Sequence, residues 1–180
     1  FGYDIHEARN FANDGCWEIQ VPGATCFTYH PYDILLLLDE TLGVNADKTP
    51  EYPSFDDLYA AWFEKVRAGA VDIIENYGVG WGTQGTPNTM ISLFINDCIE
   101  RAAGYYDRGA RYTVYSPHAS GLPNVINSLF AIKKYVYEEK KLTLEELVGY
   151  LRLNWEGHED IRRRILKDFI GYGNADPEID

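Results

Sequence analysis

Cysteine is scarce in this chain. Three are present, Cys16, Cys26 and Cys98, an odd number without a Cys-x-x-Cys pair; this argues against a secreted, disulfide-built scaffold and for a reducing, cytoplasmic compartment. Long apolar runs are missing too. The longest, ILLLL at 34–38, falls far short of the roughly 20 residues that cross a bilayer, and no charged-then-apolar leader precedes it, so no membrane partner is expected. Basic charge is in deficit: sixteen Lys and Arg against twenty-eight Asp and Glu leave a net charge of -12, which speaks against a nucleic-acid backbone as partner. An initiating Met is lacking as well. The chain opens on Phe1-Gly2-Tyr3 and closes at Asp180 without an obvious finishing element, as expected of an excerpt from something larger.

What the chain does hold is material for a core. Hydrophobic residues make up 46% and aromatics 14% of its 180 residues, far from the composition of a disordered chain, and a domain of this length buries roughly two thirds of its extended surface. IHEARNFAND at 5–14 reads as a short helix with Ile5, Ala8 and Ala12 on one face. Gly15 and the VPG at 21–23 interrupt it, leaving Cys16 to Val21 extended or looped. PYDILLLLDETLG fits a buried strand by its leucines and a buried helix by Asp33 and its DETLG ending. Ser54 caps a long helix whose apolar seam is Leu58, Trp62, Val66, Ala70, Ile73 and Tyr77. Gly78, Gly80, Gly82 and Gly85 make no full nucleotide fingerprint after a strand, so GVGWGTQGTP reads as a hinge or packing turn. TMISLFINDCIERA then reads as a largely buried helix, RYTVY as a short strand and SPHASG as a turn. Asn124 is the expected cap of VINSLFAIKKYVYEE, with its stripe of Val125, Leu129, Ile132 and Val136; Thr143 and Glu146 form a capping-box pattern before LEELVGYLRL; HEDIRRRILKDFI stops at Gly171. The pattern is helix-rich with two extended pieces, and no domain boundary is drawn within it.

One short stretch suggests chemistry. In GCWE at 15–18 an extended backbone projects positions i and i+2 to one face, roughly 7 Å apart, so Cys16 and Glu18 can flank one small substrate. A cysteine attacks as thiolate or carries a radical, and a carboxylate moves a proton. Taken singly, the commoner reading of Cys16 is a buried structural thiol and of Glu18 a surface acid. Thiolate catalysis needs a held base; His6 and His30 are near in sequence, but spacing alone supplies no triad. Cys16, Cys26 and His30 match no compact zinc spacing, so no metal is expected. Asp56-Asp57 and Glu138-Glu139 read as solvated helix ends and not as a glycosidase pair.

The residues around GCWE carry a resemblance. ARNFANDGCWEIQVPG is similar to the run through the GCVE-type active-site loop of glycyl radical enzymes, the pyruvate formate-lyase-like family that includes diol dehydratases, hydroxyproline dehydratase, choline lyase and arylacetate decarboxylases. CIERAAGYYDRGARYTVY resembles the family's downstream helix-to-strand run, and residues 121–180 resemble the region approaching its radical-bearing domain. The resemblance implies an α/β fold, residues 1–180 being a helix-rich part of the pyruvate formate-lyase-like catalytic domain, a ten-stranded α/β barrel. It implies that Cys16 becomes a thiyl radical that takes and returns a substrate hydrogen, while Glu18 is the acid/base. The implied parent activity is a lyase: dehydration, decarboxylation or related C–X or C–C cleavage of a small polar organic substrate.

The resemblance implies no permanently bound cofactor or metal. The glycyl radical would sit on a residue outside this chain, installed by a separate S-adenosylmethionine-dependent iron–sulfur activating enzyme. Further implied partners are the remaining parts of the same polypeptide and, left open, a second copy in a homodimer. Trp17 stands where the motif often has valine, filling space beside the loop or lining the pocket. Tyr29, His30, Tyr115 and His118 are candidates for placing a polar substrate, with packing or turn roles equally suited to them. No RVSGY- or RVAGY-like loop follows YGNADPEID; Gly171 and Gly173 read as turn glycines, the C-terminal glycyl radical domain is expected beyond Asp180, and the 180 residues alone are expected to be inactive. The same missing loop keeps open a noncatalytic structural or subunit-interaction domain, with the Leu58–Tyr77 seam as its assembly face. A hydrolytic thiol enzyme is the third reading.

Overall fold

The computed structural model describes residues 2–15, 18–77, 89–168, 171–175, 177 and 179. They form two compact units, Phe1–Pro31 with Gly69–His118, and Tyr32–Ala68 with Ala119–Asp180. Each unit joins two stretches far apart in sequence, which is why no linker composition marks the division.

The second unit is helical. Asp33 keeps extended backbone, and its Oδ1 accepts from the N–H groups of Leu35 (2.9 Å) and Leu36 (3.2 Å); this N-cap decides the leucine run in favour of a helix, Ile34–Leu42. Helical period turns Ile34, Leu38 and Leu42 inward and leaves Leu36 49% exposed. A charge introduced at Leu38 would therefore be buried, and one at Leu36 would meet solvent. Against these residues pack Leu58 and Trp62 of helix Phe55–Asp72, Val125, Leu129 and Ile132 of helix Leu122–Ile132, and Leu147 and Val148 of helix Leu144–Arg152. Trp62 Nε1 donates to the Ile34 carbonyl at 3.1 Å, so its polar edge is satisfied inside the core. Burying each such side chain stabilises by about 1.5–3 kcal/mol.

Capping residues fix where the helices begin. Ser54 Oγ accepts from the Asp57 N–H at 3.2 Å and Asp57 Oδ2 accepts from the Ser54 N–H at 3.0 Å. Thr143 and Glu146 complete the expected capping box at 3.1 and 2.8 Å. The Asn124 cap is corrected: the helix starts at Leu122 with Gly121 before it and Pro123 in its first turn, where the missing N–H of proline leaves no bond unmade. This helix continues as a wide π-type turn, Lys133–Glu138. The last helix is Glu159–Lys167, and residues 169 and 170 lie outside the described part.

The first unit contains the strands. β1 (Ala12–Asp14) and β2 (Glu18–Gln20) pair antiparallel, with Ala12 opposite Gln20, Asn13 opposite Ile19 and Asp14 opposite Glu18. The opening helix is accordingly shorter than expected: it spans Ile5–Ala8, because Ile5 is exposed and Ala12 belongs to the ladder. Most of β3 (Thr25–Asp33) and of β4 (Tyr112–Ser120) lies here, paired with each other. The Tyr112 N–H donates to the Ala24 carbonyl at 3.0 Å, and six residues on the His118 ring meets the Tyr29 ring, so the two strands run parallel.

Two further expectations are overturned in this unit. The turn placed at SPHASG is strand as far as Ser120; Pro117 is tolerated because a two-stranded sheet leaves each strand an edge. The buried helix placed at 89–102 is helical only over Thr89–Ser92, since Asp97 and Ala102 take left-handed φ of 75° and 50°, and Phe94 and Ile99 are exposed. Cys26, Tyr105 and Ala110 form the local core with Ile91, Ile95 and Tyr106 against them. The glycine-rich stretch that includes Gly78, Gly80, Gly82 and Gly85 lies outside the described residues.

Candidate active site

Glu18 opens β2 and is only 8% exposed. A carboxylate so enclosed needs hydrogen-bonding partners to stay ionised. His118 of β4 supplies one: its Nε2 lies 3.1 Å from Glu18 Oε1. The same nitrogen is 2.7 Å from Ser116 Oγ, which the two-residue strand period sets on the same face. The Tyr29 ring stands edge-on to the His118 imidazole, centroids 4.3 Å apart at 63°, and fixes the ring from β3.

Gly15 defines the other side of the carboxylate. Its φ is +57°, and a β-carbon there would lie 2.9 Å from Glu18 Oε2 and 3.6 Å from Oε1. Only a residue without a side chain allows the carboxylate to sit this close to the backbone. Oε1 is thus turned to His118, and Oε2 lies over the residue that immediately precedes Cys16. Cys16 and Trp17 themselves lie outside the described residues.

The other sequence candidates are distributed unevenly. Tyr29 is exposed on β3; His30, beside it, is buried, and burial pulls its imidazole below the usual histidine range, favouring the neutral form. Tyr115 is half-buried on β4, and His6 is exposed on the first helix. Cys26 and Cys98 are buried thiols; desolvation pushes Cys26 up to about 11, which leaves it protonated and unreactive. Asp56, Asp57, Glu138 and Glu139 are exposed, as solvated helix ends should be. Among the described residues no group of three or more His, Cys, Asp or Glu is arranged to hold a metal ion. Sequence reasoning missed Ser116, the steric role of Gly15, and the pairing of His118 with Glu18. The glycine was visible beside the motif, but the pairing, across 100 residues, had no local signal.

All 180 residues match the family model described as pyruvate formate lyase-like. The chain is 29% identical over 195 residues to trans-4-hydroxy-L-proline dehydratase of Clostridioides difficile, covering 99% of this chain and 25% of that protein. It is 32% identical over 200 residues to the probable dehydratase YbiW of Escherichia coli K12, with the same coverage of 99% and 25%. Among solved structures it is similar to the glycerol-bound B12-independent glycerol dehydratase of Clostridium butyricum, with a TM-score of 0.82 and 25% identity over 99% of this chain and 24% of that one. The chain thus spans about a quarter of the length of the curated relatives it matches.

Proposed function

The chain belongs to the pyruvate formate lyase-like family of glycyl radical enzymes, with the α/β fold of a portion of their barrel, and from that premise we propose that it carries the catalytic loop of a glycyl radical lyase. Its parent activity is C–X bond cleavage, in the first instance dehydration, on a small polar organic substrate. The observation that carries this reading is Glu18: a buried carboxylate, paired with an imidazole, with its second oxygen over the glycine that leads into Cys16. This donor set suits a site in which a sulfur handles a hydrogen atom and a carboxylate handles a proton.

Cys16 would become a thiyl radical by giving up the hydrogen of its S–H bond to the α-carbon of a glycyl radical on a residue outside these 180, a radical that a separate S-adenosylmethionine/iron–sulfur activating enzyme would install. Cys16 then removes a hydrogen atom from a substrate carbon bearing a hydroxyl: the C–H bond breaks, an S–H bond forms, and the unpaired electron moves to carbon. Glu18 accepts the hydroxyl proton, which raises electron density on that carbon and expels the leaving group from its neighbour with the bonding pair. The proton on Glu18 goes to a departing hydroxide to give water. Cys16 returns its hydrogen atom to the product radical: the S–H bond breaks, a product C–H bond forms, Cys16 is again a thiyl radical and Glu18 is again a carboxylate. The remaining parts of the polypeptide complete the cavity, a homodimer is the proposed assembly, and the cytoplasm is the proposed compartment.

The test uses the full polypeptide with its activating enzyme, under anaerobic conditions, with glycerol and 1,2-propanediol, each a hydroxyl-bearing carbon beside a second hydroxyl, as first probes. Cys16→Ser should keep the glycyl radical signal in electron paramagnetic resonance and lose turnover, and Glu18→Gln should lower kcat by about 10²–10⁴-fold. An activated Cys16→Ser protein that turns over at the wild-type rate would overturn the assignment.

A further inference from the structure

We propose that His118 is a positioning residue for Glu18, and that Ser116 is the alternative partner that accepts the His118 N–H when Glu18 becomes protonated. The inference rests on the proton-transfer role proposed for Glu18 but concerns residues of a different strand. Its basis is a valence count at one atom. His118 Nε2 faces two oxygens, Glu18 Oε1 at 3.1 Å and Ser116 Oγ at 2.7 Å, yet a ring nitrogen carries either one proton or one lone pair. An ionised carboxylate only accepts, so a lone pair on Nε2 would face a lone pair on Oε1. With Glu18 ionised, the proton therefore sits on Nε2 and is shared by the two oxygens.

That arrangement assigns different work to the two carboxylate oxygens. Oε1 is held by the His118 N–H, and Oε2, lying over Gly15, is the oxygen that receives the substrate proton. Once Oε2 is protonated, Oε1 becomes the carbonyl oxygen of a neutral acid and a weaker acceptor. The Nε2–H, fixed in the plane of the ring that Tyr29 holds edge-on, then bonds chiefly to Ser116 Oγ, the other acceptor already within reach, and neither the ring nor the proton has to move. When Glu18 gives its proton up, the bond returns to Oε1. No atom is transferred through His118: the imidazole follows the charge on Glu18, so a buried carboxylate changes ionisation without rebuilding its surroundings.

Two measurements on the full polypeptide test this. Before activation, nitrogen-15 spectra of histidine-labelled protein should show a protonated Nε2 in the resonance that disappears in His118→Gln, and that resonance should shift in Glu18→Gln. A lone pair on Nε2, or no shift in Glu18→Gln, would refute the pairing irrespective of any catalysis. After activation, with rates divided by the glycyl radical content, His118→Phe keeps the ring's shape without a donor and should lower kcat about 30- to 100-fold with KM within threefold; His118→Gln, which retains an N–H, should recover at least a third of that loss on a logarithmic scale. A loss confined to KM, a kcat within threefold of wild type in His118→Phe, or equal losses in the two variants would overturn the proposal. Loss of turnover in Cys16→Ser with these outcomes would leave the radical-lyase reading standing while removing His118 from it.

Discussion

Gly15→Ala perturbs the proposed site while leaving each chemical group in place, and its consequence can be worked from distances. The φ of +57° costs an L-residue about 1–2 kcal/mol. The added β-carbon would lie 2.9 Å from Glu18 Oε2, where ordinary contact begins at 3.4 Å, so the carboxylate has to retreat by about half an ångström. The retreat shifts Oε1 as well as Oε2, and Oε1 is the atom 3.1 Å from His118 Nε2, so the geometry of that contact changes with it. Since a misplacement of about 1 Å can cost about 10²-fold in rate, half that distance should cost about tenfold in kcat. Gly23→Ala is the matched control: φ there is +73°, a comparable backbone penalty, but the nearest atoms to an added β-carbon are at 3.9 and 4.0 Å and belong to Asn96 and Phe94. Thermal unfolding of the full polypeptide should fall similarly in both variants. Turnover per glycyl radical should fall only in Gly15→Ala. Equal activity in the two variants would refute the claim that Gly15 is there to admit the carboxylate.

Two further outcomes follow from the core and from the buried thiols. Leu38 is 1% exposed and Leu36 49%, so Leu38→Ala should lower the urea-unfolding free energy by about 2–5 kcal/mol and Leu36→Ala by about 0.5 kcal/mol or less; similar losses would contradict the helical assignment of 34–42. Cys26, held at about 11 by burial, should resist iodoacetamide at pH 8 in the native protein and react on unfolding, as read by mass spectrometry of the alkylated peptide. The unfolded thiol ionises near its ordinary value of 9.0 while the folded one stays protonated to about 11. The associated stability is therefore complete below pH 9 and is lost as pH rises from 9 through 11.

The helical unit was readable because its signals are local. Asp33, Ser54 and the Thr143–Glu146 pair act on N–H groups two or three residues away, and a 3.6-residue period places Leu58, Trp62, Val125 and Leu129 on buried faces whatever they pack against. Where the deciding interaction is distant, the reading failed. SPHASG has turn composition, yet pairing with β3 holds it extended; TMISLFINDCIERA has helical spacing, yet Asp97 and Ala102 break it. Local preference sets an element's type only when no tertiary contact competes.

The candidate site divides along the same line. Gly15 and Glu18 meet within four residues and belong to one motif, whereas His118 reaches Glu18 from β4, a strand that pairs in parallel with β3. A parallel pair cannot close through a tight turn and requires a long crossover, here the chain from Ile34 to Arg111. Without His118 beside it, burying Glu18 ionised would cost several kcal/mol. A variant that destabilises β4 without touching Glu18 should lose the base's geometry before it loses the helical unit, because the caps and core of that unit use none of the residues that hold the carboxylate.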